Sequence, residues 1–150
     1  MRGLLDIIPD PTRVVFDGIE DKYLTDGLGG LRGQAAALVF PLSTQEVSGV
    51  MRWAYDRRVP VTPRGAGTNL VGSTVPHGGI VLDLSRMNRV LELDESTFTV
   101  TVEPGILLQD LQAYVEARGL FYPPDPGEKA SSIGGNIATN AGGMRAVKYG

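Results

Sequence analysis

PRGAGTNLVGSTVPHG, residues 63–78, is a glycine-punctuated loop between two short apolar runs, Val59–Thr62 before it and Ile80–Leu84 after it. Glycine carries no Cβ, so a ligand can approach its backbone closely and φ can be positive. Successive N–H groups in such a loop can point one way and form a concave site for phosphate oxygens. Two familiar phosphate motifs are excluded by the residues themselves. A dinucleotide fingerprint counted from Gly65 needs glycine where Leu70 stands, and a helix that Gly72, Pro76, Gly78 and Gly79 forbid. A Walker A loop over Gly67–Thr74 has Ser73 in the place of its lysine. What remains is a backbone cradle, with Arg64 as charge partner and the hydroxyls of Thr68, Ser73 and Thr74 as donors. A plain surface loop between strands would present the same residues.

Upstream, Ala35–Phe40 reads as a buried strand stopped by Pro41. Ser43 and Glu46 have the spacing of a capping box. Behind them Val47, Val50, Met51, Ala54 and Tyr55 fall on one apolar helical face. Arg57 and Arg58 suit the negative end of that helix. Strand, helix and the strand Val59–Thr62 make a βαβ unit, which predicts parallel pairing. Residues 3–8 and 18–24 read as helical turns.

Downstream, Ile80–Leu84 is a second buried strand. Arg89–Leu93 and Thr97–Glu103 flank the polar turn Asp94-Glu95-Ser96 as an antiparallel hairpin, with Phe98, Val100 and Val102 on its buried face. Leu107–Arg118 is a helix with Leu108, Leu111 and Val115 inward and Gly119 at C′. Leu120–Tyr122 reads as a strand-like stub. The expected class is α+β in two layers. A hairpin with one helix is a thin layer, so the chain is expected to be the N-terminal part of a longer protein.

Composition narrows the functions. At 150 residues and 42% hydrophobic the chain can bury one ordinary core. A net charge of −3 with no basic stripe argues against nucleic acid. Cys 0 excludes disulfides, thiolate metal sites and a cysteinyl cofactor link, and His77 alone cannot build a histidine-rich metal site. The apolar N-terminus is cut by Asp6 and Pro9, and no stretch reaches membrane-spanning length, so a soluble cytoplasmic protein is expected.

A second loop, SSIGGNIATNAGG (residues 131–143), strengthens the phosphate reading. Ser132 is placed to cap a short helix whose first turn holds Gly134 and Gly135, where paired glycines open N–H groups to an anion. Asn136, Thr139 and Asn140 can bond ring or ribose edges. A tight turn with packing glycines is the alternative. One such loop per layer implies a diphosphate held between the two.

Several separated stretches, PRGAGTNLVG, IVLDLSRMNRVLELD, VEPG, FYPPDPG and SIGGNIATNAGGMRAVKYG, resemble the FAD-binding domain of the vanillyl-alcohol oxidase/p-cresol methylhydroxylase flavoproteins. The likeness runs from Tyr23 to Gly150 and is greatest to the branch of the flavin-carrying glycolate oxidase subunits and the D-lactate dehydrogenases. It implies two α+β subdomains with FAD between them: residues 1–84 with an N-terminal extension, and residues 85–150 as the incomplete start of the second, without the cap domain. It implies that Arg64, Gly65, Ala66, Gly67, Thr68 and Asn69 wrap the pyrophosphate. Ser132, Ile133, Gly134, Gly135 and Asn136, then Thr139, Asn140, Gly142 and Gly143, would contact the diphosphate and flavin end, with Pro124 and Gly150 close by. Some relatives attach FAD through a loop histidine or a later cysteine; here Thr68 follows Gly67 and cysteine is absent, so FAD is expected to be non-covalent. No catalytic or metal-ligating residue carries over, and Asp83, Glu103 and Asp125 are expected to be structural. The implied reaction is oxidation of a small 2-hydroxy acid by hydride transfer to flavin, with partner subunits that include an iron–sulfur one. The alternatives are a UDP-N-acetylenolpyruvoylglucosamine reductase type of flavoenzyme and a non-catalytic nucleotide-binding module.

Overall fold

A computed structural model describes residues 1–149; Gly150, expected beside the cofactor, lies outside the described residues. Strand β1 (Val14–Val15), β2 (Ala37–Val39), β3 (Val61–Arg64) and β4 (Ile80–Asp83) form one sheet in the order β1-β2-β4-β3. β4 runs parallel to both neighbours and β1 closes the edge antiparallel to β2. The βαβ unit therefore leaves a gap that β4 fills. Every residue of β4 is buried, as its unbroken apolar run Ile80-Val81-Leu82 requires of a central parallel strand.

Helix α1 (Thr44–Asp56) crosses from β2 to β3. Ser43 caps it, its Oγ accepting from Glu46 N at 3.2 Å. The Glu46 carboxylate accepts in turn from Leu42 N at 2.7 Å and from both terminal nitrogens of Arg13, at 2.7 and 2.9 Å. The capping residue thus also ties the helix to the edge strand. Val50 and Ala54 are buried as expected, with Val47 and Trp53 packed beside them. Met51 and Tyr55 are not on this face: they are 46% and 85% exposed. The helix is turned toward the N-terminal turns, where a Cβ on Gly49 would touch Ile7 Cγ2 at 2.8 Å and one on Gly3 would touch Trp53 Nε1 at 2.7 Å.

Leu4, Ile8, Val14, Ala37, Val39, Ile80 and Leu82 complete the core under α1. Leu38, Phe40 and Val81 fill the opposite face of the sheet against Val15, Ile19 and Tyr23. The expected turns appear as short 3-10 helices, Arg2–Leu4 and Asp21–Tyr23.

The second layer holds the hairpin β5 (Val90–Asp94) and β6 (Thr99–Val102), with helix α2 (Leu108–Glu116) against it. Val100 and Val102 face the core of Ile106, Leu108, Leu111, Val115 and Ile133, but Phe98 does not. It is 78% exposed with φ +55°, because the turn after Asp94 closes on a left-handed residue before the strand begins. Leu120 and Tyr122 pack on this core without forming a strand.

Helices α1, α2 and α3 (Ile133–Ala138) end alike. Val59 N donates to Ala54 O at 2.9 Å, Leu120 N to Val115 O at 3.1 Å, and Ala141 N to Asn136 O at 2.8 Å. The residue before each donor is left-handed: Arg58 (φ 52°), Gly119 (φ 73°) and Asn140 (φ 53°). Gly119 fulfils its expected role. A last short helix, α4 (Ala146–Tyr149), sets Tyr149 edge-on to Phe121 at 5.7 Å.

Candidate functional site

Between the carboxyl end of the first sheet and the start of α3 lies a cavity of about 500 Å³. Arg64, Gly65, Ala66, Gly67, Thr68 and Asn69 all line it, as do Ser132, Gly134, Gly135, Asn136 and Thr139 from the second loop. Ser73 and Thr74 add hydroxyls to the wall.

Arg64 is the last residue of β3 and stands in register with Asp83. Its guanidinium is buried, donates to Thr25 O at 2.8 Å, and lies 6.0 Å from the Tyr23 ring. No carboxylate among the described residues forms an ion pair with it. Burial pulls its pKa down, against the pull of Asp83, Tyr23 and Asp26. Burial likewise pushes the Asp83 carboxyl up, opposed by its bonds from Ser85 N and Oγ. A desolvated cation without a carboxylate partner favours an anion in the adjoining space. The N–H groups of Gly65, Gly67, Thr68 and Asn69 also find no acceptor among the described residues. The cradle therefore fits a diphosphate.

Ser132 joins the two loops. Its Oγ accepts from Gly135 N, capping α3, and from Ala66 N across the cavity, each at 3.3 Å. This contact explains Gly65, where a Cβ would collide with the Ser132 hydroxyl. Gly67, at φ +73°, packs on the Arg64 guanidinium, so a Cβ there would displace the cation. These two glycines are demanded by the protein's own close approach, before any ligand enters.

Other expected residues stand differently. Gly134 N donates to Pro104 O at 2.8 Å, and a Cβ on Gly134 would strike Pro104, so its N–H is engaged by packing. The Asn69 side chain is committed to its own loop, accepting from Ser73 N at 3.1 Å and donating to Thr74 Oγ1 at 2.8 Å. Thr139 Oγ1 donates back to Gly135 O at 2.9 Å. Ile133 is buried in the second core. Pro124, Asn140, Gly142 and Gly143 do not line the cavity. Gly143 instead packs on Asp125 O, at φ +89°.

Asp125 is buried, pairing with Lys129 at 2.9 Å and Arg145 at 3.4 Å. The Lys129 ammonium, followed by Arg145, holds its carboxyl below the usual range. Glu103 is lowered by Arg89, 2.8 Å away, whose N–H it also accepts. Asp83 accepts from Ser85 N and Glu103 from Arg89 N, so both hold backbone, whereas Asp125 holds two side-chain cations. His77 is exposed and outside the cavity. Among the described residues no group of His, Cys, Asp or Glu could hold a metal ion.

The sequence reading misses the apolar wall of Pro63, Leu84, Pro104, Pro126, Ala138 and Ala141, and also Glu128 and Ser131. All but Glu128 lie within the stretches quoted above: Pro63 in PRGAGTNLVG, Leu84 in IVLDLSRMNRVLELD, Pro104 in VEPG, Pro126 in FYPPDPG, and Ser131, Ala138 and Ala141 in SSIGGNIATNAGG. None of them has a chemistry that singles it out there.

The FAD binding domain family matches residues 35–150. A D-lactate dehydrogenase of Anaerostipes hadrus is 47% identical over 144 residues, 93% of this chain and 30% of that protein. The glycolate oxidase subunit GlcD of Bacillus subtilis (strain 168) is 46% identical over 130 residues, 85% of this chain and 28% of that protein. Among solved structures, an alkyldihydroxyacetonephosphate synthase superposes with a TM-score of 0.85 at 26% identity, over 97% of this chain and 29% of that one. This chain belongs to the FAD binding domain family, among the vanillyl-alcohol oxidase/p-cresol methylhydroxylase flavoproteins, and its cofactor is FAD. It spans about three-tenths of the length of the curated relatives it matches.

Proposed function

We propose, starting from that membership, that this chain holds the FAD of an oxidoreductase acting on a small 2-hydroxy acid of the glycolate or D-lactate type. The observation that carries the cofactor site is the buried Arg64, with no carboxylate partner among the described residues, beside the N–H groups of Gly65, Gly67 and Thr68, which find no acceptor there, closed across the cavity by Ser132. The substrate class rests on the likeness to the D-lactate dehydrogenase and the glycolate oxidase subunit.

Bound there, FAD would supply the hydride acceptor. The chain's own residues bind and orient. Arg64 would set a fixed positive charge against the diphosphate, and the N–H groups of Gly65, Gly67 and Thr68 would be free to donate to it. Asn136 and Thr139 present polar groups from the opposite loop. Leu84, Pro104, Pro126 and Ala138 exclude water from the space between. Residues 1–84 would form one subdomain and 85–150 the beginning of another; that the cores of the two sheets share no residue supports this boundary.

The cofactor should be non-covalent, since no cysteine exists and His77 lies outside the cavity. Acid precipitation of the flavin-loaded chain should release FAD into the supernatant; flavin retained in the pellet would overturn this. For the reaction, anaerobic D-lactate or glycolate should bleach the oxidised flavin band of the protein that carries this chain. Bleaching by NADPH but by no 2-hydroxy acid would refute the assignment. One relative is by name a subunit, and by family likeness we infer a cytoplasmic assembly that includes an iron–sulfur subunit. Co-purification of iron and acid-labile sulfide checks it. Among the described residues no helix is long and apolar enough to cross a membrane.

A further inference from the structure

Residues 69–76 of the glycine loop have no strand or helix of their own, and the earlier segment Thr25–Gln34 holds them. Asp26 is central to this. Its Oδ1 accepts from Leu28 N at 3.1 Å and Gly29 N at 3.0 Å, and its Oδ2 accepts from Gly72 N at 2.9 Å. Gly27 N donates to Asn69 O at 2.8 Å, so closely that a Cβ on Gly27 would meet Thr68 O at 2.9 Å. On either side, Thr25 O takes the Arg64 guanidinium and Gln34 N donates to Pro76 O at 2.9 Å. Asp26 itself is buried and does not line the cavity. It also lies before the residues that the family matches.

We propose that Asp26 is the positioning residue of the diphosphate loop, an inference that rests on the FAD reading above. A carboxylate only accepts, so it satisfies N–H groups of both loops at once and fixes how residues 68–72 curve over the cavity. Its charge alone would do the opposite of helping. Asp26 lies within electrostatic range of Arg64, so its negative charge opposes an arriving diphosphate. Neutralising the charge without moving the loop would therefore tighten FAD binding, whereas loosening the loop would weaken it. The sign of the change separates the two.

Asp26→Asn makes the distinction. The amide keeps one oxygen for Leu28 N and Gly29 N, preserving that turn, but aims an NH₂ at Gly72 N–H. FAD affinity is read by flavin fluorescence titration at two ionic strengths, beside circular dichroism melting of the FAD-free chain. Asp94→Asn is the control, because Asp94 makes a similar turn with Ser96 N and Thr97 N on the hairpin, away from the cavity. The expected result is a dissociation constant raised about tenfold in Asp26→Asn, more in Asp26→Ala, and unchanged in Asp94→Asn, with the FAD-free melting of Asp26→Asn within a few degrees of wild type. Asp26→Ala could fail to fold; Asp26→Asn, with its turn kept, is then decisive. Equal or tighter binding by Asp26→Asn, or equal weakening in Asp94→Asn, overturns the positioning role. Failure of the wild-type chain to bind FAD would overturn the FAD reading itself.

Discussion

Gly65 and Gly67 read in the sequence as room for phosphate, and the fold gives that room a second owner. Ser132 and Arg64 already occupy the space a side chain would need. Gly65→Ala or Gly67→Ala should thus raise the FAD dissociation constant at least about tenfold, equivalent to about 1.4 kcal/mol. The mechanism is displacement of Ser132 or Arg64, and titration beside a melting curve checks it. Full affinity in both would remove these glycines from the site. Arg58 offers the reverse case. Arginine is held at φ 52° where Gly119 serves the equivalent place on α2. Left-handed backbone costs a residue with a side chain about 1–2 kcal/mol, so Arg58→Gly should stabilise the chain by about 1 kcal/mol and raise its melting temperature by about 2–4 °C. An unchanged or lower value counts against the strain account. Asn69, by contrast, looks in the sequence like a ligand side chain, but its amide is spent within its own loop.

The capping box of α1 is legible because it is local, and so are β4, α2 and the hairpin. What Glu46 does beyond the cap is not, since Arg13 lies far away in the chain. Glu46→Gln should cost about 2 kcal/mol by leaving the buried guanidinium half-satisfied. Its pH dependence has a definite sign. The Arg13 hydrogen bonds hold the Glu46 carboxyl below its ordinary value, so the pair stabilises above that value and fades as pH falls through the folded pKa. The gap in stability between wild type and Glu46→Gln should close in acid; a gap that widens would contradict this. Met51, Tyr55 and Phe98 mark where pattern reading fails. Helical spacing names a stripe, but the docked N-terminal turns choose its edge. Alternation names a strand, but a left-handed turn residue decides where it starts. Strand order β1-β2-β4-β3 is equally non-local, as is the carboxylate of Asp26, which leaves no periodic trace.

The two layers meet at the cavity through Ala66 and Ser132, so FAD should stabilise both together. At a hundredfold excess over the dissociation constant, binding adds about 2.7 kcal/mol. Hydrogen exchange should then slow in residues 64–74 and 131–139 alike. Slowing confined to one stretch would show that the ligand touches a single layer.

Trp53 turns the packing of the N-terminus into something that can be watched. It is the single tryptophan, and its buried Nε1 has no acceptor among the described residues, seated against Gly3 on the far side of the sheet from Tyr23. An indole nitrogen so placed should emit to the blue of a water-exposed one, which a fluorescence spectrum checks. If the turns of residues 2–8 lift from α1, water reaches that nitrogen and the emission moves red. The chain thus carries its own optical gauge of whether its first residues are docked.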